Sequence, residues 1–139
     1  DSKASIAPFD CRVESLPFAD ASFDGVTIAF GIRNATDRAG GLREMRRVTR
    51  AGGRVVVLEL GEPEGGPFAG IARWHIHSVV PWLGGALSGR REYEYLQRSI
   101  AAFPPRAEFA RMMSDAGLED LSVDPLTLGV ATLFVGRVP

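Results

Sequence analysis

Short apolar runs alternate with amphipathic stretches along the chain, and this alternation predicts an α/β fold. Residues 25–30 and 54–60 are rich in β-branched side chains, which is typical of strands buried on both faces of a parallel sheet. The stretch from Thr36 or Asp37 to about residue 49 predicts a helix, because its apolar residues fall on one stripe: Leu42, Met45 and Val48. The glycines at 52 and 53 should end that helix with a left-handed cap. Strand, helix and strand in this spacing form a βαβ unit.

The second half of the chain continues with helices and closes with strands. Apolar spacing predicts helices over residues 68–80, 90–102 and 106–116. Residues 118–125 and 127–138 then predict two strands joined by a short turn, an antiparallel pair at a sheet edge. The expected architecture is therefore α/β, with parallel strands followed by a terminal antiparallel pair.

Composition and charge restrict the function classes. The 139 residues fit one domain, and 45% of them are hydrophobic. A net charge of −1 argues against a basic nucleic-acid-binding domain. One cysteine, Cys11, excludes an internal disulfide framework, and two histidines leave few zinc ligands, so no metal site is predicted. No signal peptide is visible and no apolar run could span a bilayer, which leads to an expectation of a cytoplasmic protein.

Candidate chemistry lies where the two predicted parallel strands end, because ligands of open α/β sheets bind beyond the carboxyl ends of the strands. Arg33 and Asn34 follow the first strand, and Glu59 lies near the end of the second. Arg33 carries a fixed fork of donors, whereas Asn34 has both a donor and an acceptor. A surface arginine, a helix-capping asparagine and a solvated carboxylate are the alternative interpretations.

Several motifs resemble the ubiquinone/menaquinone biosynthesis C-methyltransferase family, which belongs to the class I S-adenosylmethionine-dependent methyltransferases. The loop at residues 16–24, Leu-Pro-Phe-Ala-Asp-Ala-Ser-Phe-Asp, is common in that class. More specific are Phe30-Gly31-Ile32-Arg33-Asn34, the Gly52-Gly53-Arg54 run that leads to Glu59, and the later Tyr95-Leu96, Ser99-Ile100, Phe103-Pro104 and Leu126–Val130. The resemblance extends over residues 12–138 and corresponds to the C-terminal half of a Rossmann-like methyltransferase sheet.

The resemblance implies transfer of a methyl group from S-adenosylmethionine to a ring carbon of a polyprenyl quinol. The family's Arg-Asn pair falls on Arg33 and Asn34, which are the expected catalytic residues. An arginine can stabilise a developing phenolate, and the asparagine can orient a water that takes the proton. The other expected contacts are to the cofactor, by Arg12, Val13, Ala29, Phe30 and Gly31, and to the substrate, by Glu59 and Tyr95.

The sequence also departs from the family pattern. Arg12 and Val13 stand where an acidic or amide residue and an alanine usually bind the adenine, and arginine has no acceptor for the adenine amino group. No Gly-x-Gly turn follows a strand with an acidic partner about 20 residues later. Residues 1–139 are therefore expected to form one partial methyltransferase domain that lacks the Gly-rich, N-terminal half.

Partners are expected on the same grounds. A lipid quinol is the expected substrate, and the domain is expected to be completed by a homo-oligomer or by the missing half. Residues 33–54 hold seven arginines and two acidic residues, which could contact the inner face of a membrane or form a solvated helix face. Two other functions stay open: methylation of another small molecule, and a non-catalytic half domain that pairs with a partner chain.

Overall fold

The computed structural model describes residues 6–62, 64 and 90–139. Their elements confirm the α/β prediction, and the strands are β1 (Phe23–Ala29), β2 (Thr49–Leu60), β3 (Glu119–Leu126) and β4 (Ala131–Arg137). The helices are α1 (Arg38–Val48), α2 (Arg90–Ala101) and α3 (Arg106–Asp115). The sheet order is β1-β2-β4-β3, in which β1 and β2 run parallel and the other two pairs run antiparallel. The helix predicted over residues 68–80 lies outside the described residues.

Helix α1 begins as its polar boundary predicts. The side chain of Asp37 accepts a hydrogen bond of 2.8 Å from the backbone N–H of Gly40, which satisfies one of the free donors of the first turn. At the other end, the hydroxyl of Thr49 donates to the carbonyl of Met45. Gly41 allows a close approach, because a Cβ at this position would lie 3.2 Å from a methyl group of Val13. The glycine thus lets the loop before β1 pack against the helix.

The prediction that Gly52 and Gly53 cap the end of α1 is wrong. The helix ends at Val48, and Thr49 already has an extended backbone. Gly52 does adopt a left-handed conformation, with φ of 77°, but it lies within β2. The register between β1 and β2 shifts here, from Phe23 opposite Thr49 to Gly25 opposite Arg54. The left-handed glycine therefore serves an irregularity of the strand and not the end of the helix.

Strand β1 is not buried on both faces, contrary to the prediction from its apolar sequence. Val26 and Ile28 are half-buried against the core, whereas Thr27 and Ala29 on the opposite face are exposed. The reason is the covering of each face: the core formed with α1 and α3 packs against the face that carries Val26 and Ile28, and Thr27 and Ala29 lie on the other face of the strand. An apolar sequence allows a strand to be buried on both faces. How much of it is buried depends on the elements that pack against it.

The core lies on one face of the sheet, where α1 and α3 pack. Leu42 and Met45 of α1 and Phe109 of α3 are fully or almost fully buried there. They meet Val55, Val57 and Phe134 of the two central strands. The rings of Phe109 and Phe134 lie 4.8 Å apart, edge to face. This packing buries the middle of β2, the strand that also carries Glu59 of the site described next.

The terminal antiparallel pair is confirmed, with one correction. Residues 127–129 form a 3₁₀ turn and do not continue a strand. Thr127 and Gly129 both have positive φ, at 49° and 88°, so the chain reverses between β3 and β4 through left-handed residues. Within the described ranges, no helix is both long and apolar enough to cross a bilayer.

Candidate active site

A single turn of 3₁₀ helix follows β1 and presents the Arg-Asn pair. Ile32, Arg33 and Asn34 form the turn. The side chain of Ile32 is fully buried in the core, whereas Asn34 is exposed. The buried isoleucine therefore anchors the turn, and the two polar residues that follow it lie at the carboxyl edge of the parallel pair, where open α/β sheets bind their ligands.

Arg33 is held by Glu59 from the neighbouring strand. Its Nη1 lies 2.5 Å from Oε1 of Glu59, and its backbone N–H donates to Oε2 at 3.1 Å. The Glu59 side chain has no exposed surface and that of Arg33 is 11% exposed. Nε of Arg33 is buried and has no hydrogen-bond partner in the part of the chain described. The structure therefore brings together two of the predicted site residues as an ion pair between adjacent strand tips.

Asn34 is joined to Tyr95 of α2. The Tyr95 hydroxyl donates to Oδ1 of Asn34 at 2.8 Å, although 61 positions separate the two residues. An open cleft of about 380 Å³ lies beside them and is lined by Arg33, Asn34, Tyr95, Arg98 and Ser99. With Oδ1 engaged, the amide nitrogen is the end of Asn34 that has two N–H groups to offer a ligand. The cleft thus brings the guanidinium groups of Arg33 and Arg98 together with the amide nitrogen of Asn34.

The end of β1 carries the three residues predicted to line the donor site. Ala29 ends the strand, and the backbone N–H of Phe30 donates to the carbonyl of Leu58 at 2.8 Å. Phe30 has a φ of 54°, although it is not glycine, and its side chain is 44% exposed. Such left-handed residues cost energy and occur often at functional sites. Gly31 then leads into the 3₁₀ turn.

Arg12 and Val13 have structural partners. The Arg12 guanidinium donates to the hydroxyl of Thr36 at 3.0 Å and lies 3.5 Å from the carboxylate of Glu14. Val13 packs against Gly41 of α1. These contacts place both residues near the start of α1, and their predicted contact with the adenine stays a prediction.

Glu14 binds the backbone just before the start of α1. Its carboxylate accepts from the backbone N–H groups of Thr36 and Asp37, at 2.8 and 3.3 Å. Hydrogen bonds from its own backbone N–H and from that of Asp37 are the main causes that lower the pKa of Glu14 to about 2. The segment that links the Arg-Asn turn to α1 is therefore fixed by a charged acceptor.

The loop at residues 16–24 is fastened to α1 by a second ion pair. Arg47 donates to the carboxylate of Glu44, to the carboxylate of Asp20 and to the carbonyls of Leu16 and Phe18. The N–H of Leu16 donates in turn to Glu44 at 2.9 Å. The Arg47 bond, followed by that from Leu16, lowers the pKa of Glu44 to about 2. This network gives Asp20 of the motif a structural role, which the sequence pattern does not show.

Most arginines of the stretch at residues 33–54 contact other groups of the chain. Six of its seven arginines contact groups of the chain itself: Arg33, Arg38, Arg43, Arg46, Arg47 and Arg50. These six arginines thus have partners within the chain, and the membrane contact expected of the stretch stays a prediction.

Sequence reasoning missed two contributors to the site. Arg38 donates from Nη2 to the carbonyl of Arg33 at 2.9 Å, and its guanidinium lies 5.8 Å from the centre of the Phe103 ring. Arg98 lines the cleft one turn after Tyr95, and the helical spacing of the two residues is the signal that could have indicated it. Among the described residues, no group of three or more histidines, cysteines or carboxylates could hold a metal ion.

Comparison with known proteins identifies the family of the chain. The sequence profile of the ubiE/COQ5 methyltransferase family matches residues 2–137. The chain belongs to that family. It is 43% identical over 142 aligned positions to the ubiquinone/menaquinone biosynthesis C-methyltransferase UbiE of Geotalea uraniireducens, covering 97% of this chain and 60% of that protein. The UbiE of Geotalea daltonii is 44% identical, with 89% and 53% covered. The chain thus spans between half and three fifths of these ubiE/COQ5 relatives.

Solved structures share the fold of this chain, although their sequence identity to it is low. A SAM-dependent methyltransferase from Aquifex aeolicus superposes with a TM-score of 0.59 at 13% identity, covering 94% of this chain and 54% of that one. The methyltransferase CalH in complex with SAH gives a TM-score of 0.60 at 20% identity, covering 93% and 35%. The described sheet and helices therefore have the fold of class I methyltransferases.

Proposed function

We propose that this chain carries the acceptor-activating part of an S-adenosylmethionine-dependent C-methyltransferase, which methylates a ring carbon of a polyprenyl quinol. One observation carries the proposal: Arg33 and Asn34 are adjacent on the turn after β1, and both line the same open cleft with Tyr95 and Arg98. The family membership and the names of the UbiE relatives support the reaction type and the acceptor class.

The residues of the cleft suit a phenol that must lose its proton. A neutral phenol is a weak carbon nucleophile, and its phenolate pushes electron density onto the neighbouring ring carbons. The hydroxyl proton would pass to a water oriented by Asn34. Arg33 would stabilise the resulting oxyanion, because a guanidinium stays protonated and offers only donors. After transfer, the ring carbon loses its own proton to water and the ring regains its aromaticity.

The donor site fits in part. When bound, S-adenosylmethionine supplies an electrophilic methyl group, whose bond to sulfur breaks with the electron pair left on sulfur as the carbon–carbon bond forms. The residues proposed to hold it are Ala29, Phe30 and Gly31 at the end of β1, together with Arg12 and Val13 near the start of α1. The exposed face of β1 and the strained backbone of Phe30 support this assignment.

We also infer that residues 1–139 act as part of a larger methyltransferase domain. The coverage of the relatives, 60% and 53%, supports this inference. So does β1, which has one edge without a strand neighbour in the described part of the sheet. Either a preceding segment or a second copy of the chain would complete the donor site.

The chemistry of the proposed acceptor indicates where in the cell the protein would act. A polyprenyl tail resides in a membrane, so we propose a cytoplasmic protein that contacts the inner face of the membrane. Flotation with vesicles that contain a polyprenyl quinol tests this proposal. Recovery of the protein with quinol-loaded vesicles and not with plain ones supports it, and equal recovery from both argues against it.

Methyl transfer is tested with two preparations: the chain alone, and the chain joined behind the N-terminal portion of the Geotalea uraniireducens relative. Each is incubated with methyl-labelled S-adenosylmethionine and a short-tailed demethylmenaquinol. We expect label in the quinol with the joined protein, and an upward thermal shift with S-adenosylhomocysteine. Arg33→Lys in the joined protein keeps a positive charge beside the buried Glu59; it is the matched control and should remove most of the transfer.

Other outcomes identify the alternatives. Transfer to a phenol that is not a quinone precursor, without transfer to demethylmenaquinol, would indicate a methyltransferase for another small molecule. A folded joined protein that neither binds S-adenosylhomocysteine nor transfers label would indicate a non-catalytic half domain. The free edge of β1 is the observation that keeps this second candidate in view.

A further inference from the structure

Glu59 is a buried carboxylate with an unusually complete set of partners. Its side chain has no exposed surface. Oε1 accepts from Nη1 of Arg33 at 2.5 Å and from the backbone N–H of Leu60 at 2.9 Å, and Oε2 accepts from the backbone N–H of Arg33 at 3.1 Å. A buried charge is tolerated only when it is paired and hydrogen-bonded in this way.

These contacts fix Arg33 at both its backbone and its side chain. The carboxylate holds the N–H and the guanidinium of the same residue, and Arg38 donates to the carbonyl of that residue at 2.9 Å. Glu59 itself lies on β2, whose neighbours Val55 and Val57 are fully buried. The guanidinium is therefore held by a side chain of β2, a central strand of the described sheet, and not by the exposed strand β1 that precedes it in sequence.

We propose that Glu59 is a positioning residue that sets the orientation of the Arg33 guanidinium, and that it does so without touching the acceptor. This inference rests on the proposed methyl transfer, in which Arg33 stabilises the phenolate. It replaces the substrate contact expected from sequence, because a carboxylate with no exposed surface and three donors bound has no face to offer a ring. A guanidinium held in one orientation stabilises a charge that develops in one place, and misplacement by about 1 Å can cost about 10²-fold in rate.

The test compares two Glu-to-Gln substitutions, in whichever of the two preparations transfers methyl groups. Glu59→Gln removes the charge that orients Arg33. Glu44→Gln is the matched control, because Glu44 also pairs with an arginine and accepts a backbone N–H, but it fastens the loop at residues 16–20. We expect Glu59→Gln to lower kcat by about 10²-fold with the acceptor KM within about twofold, and Glu44→Gln to leave kcat unchanged.

A spectroscopic readout separates orientation from folding. A nitro-substituted naphthol changes absorbance when it ionises, so its pKa can be measured when it is bound. Wild-type protein should lower the pKa of the bound naphthol, because Arg33 stabilises its anion. Glu59→Gln should lower it less, while the affinity for the neutral form stays the same. Should Glu59→Gln fold poorly, Glu59→Asp keeps the charge on a shorter arm and should show the same loss in a folded protein.

A double variant decides how Glu59 acts. Arg33→Gln with Glu59→Gln leaves no unpaired buried charge, so it should fold. If Glu59 acts through Arg33, the double variant has the kcat of Arg33→Gln alone. If instead the kcat losses of the two single substitutions multiply in the double variant and the acceptor KM rises, the proposal is overturned in favour of direct contact between Glu59 and the acceptor. A Glu59→Gln protein with wild-type kcat and naphthol pKa would overturn it while leaving methyl transfer intact. Absence of transfer by the wild type would instead overturn the proposed function, and the role of Glu59 with it.

Discussion

The hydroxyl of Tyr95 donates a hydrogen bond of 2.8 Å to Oδ1 of Asn34 and so ties α2 to the turn that follows β1. The bond engages the acceptor end of the amide, which leaves the donor end for a ligand. Tyr95→Phe removes this bond and keeps the ring. Because a hydrogen bond contributes about 1 kcal/mol net, we expect kcat to fall about fivefold. Tyr95 is 59% exposed, so the melting temperature should stay the same. A fall in melting temperature with unchanged kcat would assign Tyr95 to packing.

Arg33→Lys tests the need for a planar fork. A lysine keeps the positive charge but cannot hold Glu59 and a phenolate oxygen in fixed directions at once. Turnover should fall about 10²-fold, whereas the affinity for S-adenosylhomocysteine should change by less than about twofold. Titration calorimetry with S-adenosylhomocysteine, beside steady-state kinetics, separates the two quantities. Equal losses in both would show that Arg33 holds the fold and not the transition state.

Much of the fold could be predicted from the sequence because the local signals agree with one another. The Asp37 cap, the apolar stripe of α1 and the β-branched runs each reflect a preference of a few adjacent residues. The exposure of β1 could not be predicted, because it depends on which elements pack on its two faces. Nor could Gly52, which has the left-handed conformation expected of it but lies in a strand.

The site divides in the same way. The location of Arg33 and Asn34 at a strand end follows from local pattern and topology. Their partners do not, because Glu59 and Tyr95 lie 26 and 61 positions away and are brought close only by tertiary packing. The sequence pattern of a carboxylate near a strand end is the same whether its side chain is solvated or fully buried. Burial is a property of the packed sheet, and for Glu59 it decides the role.

Phe30→Asn tests whether backbone strain serves the site. Asparagine adopts left-handed φ more readily than phenylalanine, and the Phe30 side chain is 44% exposed, so little burial is lost. We expect the free energy of unfolding in urea to rise by up to about 1 kcal/mol. If Phe30 lines the donor site, the affinity for S-adenosylhomocysteine should fall in the same variant. Unchanged affinity would remove Phe30 from the donor site.

Acid stability should report the two carboxylates that fasten loops to α1. Both Glu14 and Glu44 have a folded-state pKa of about 2, below the ordinary 4.5. The unfolded chain therefore binds more protons, so the stabilisation is fully present above about pH 5 and is lost as the pH falls toward 2. Urea midpoints across this window should fall with pH in the wild type. Glu44→Gln should flatten the curve in part, and Glu14 is one of the groups that give the slope that remains. An unchanged curve would contradict the lowered pKa of Glu44.

Asp37→Ala should destabilise the fold through one helix end. The Asp37 carboxylate caps α1 by accepting the N–H of Gly40, and the substitution should cost about 1 kcal/mol. Urea denaturation measures the loss. Asp37→Asn keeps a capping oxygen and should recover most of the stability. A loss that Asp37→Asn does not recover would point to the nearby Arg43, 3.5 Å from the carboxylate, as the partner that matters.

The pairing of Arg33 with Glu59 also sets the electrostatic potential at the strand tips. A lone guanidinium there would repel any cation that approaches, whereas the buried carboxylate cancels its charge at distances longer than the pair itself. A sulfonium donor could then come close to an arginine without a long-range penalty, and still find its N–H groups when an oxyanion forms beside them. The paired arginine thus repels an arriving cation less than a lone guanidinium would, and its N–H groups can still stabilise an anion that forms beside them.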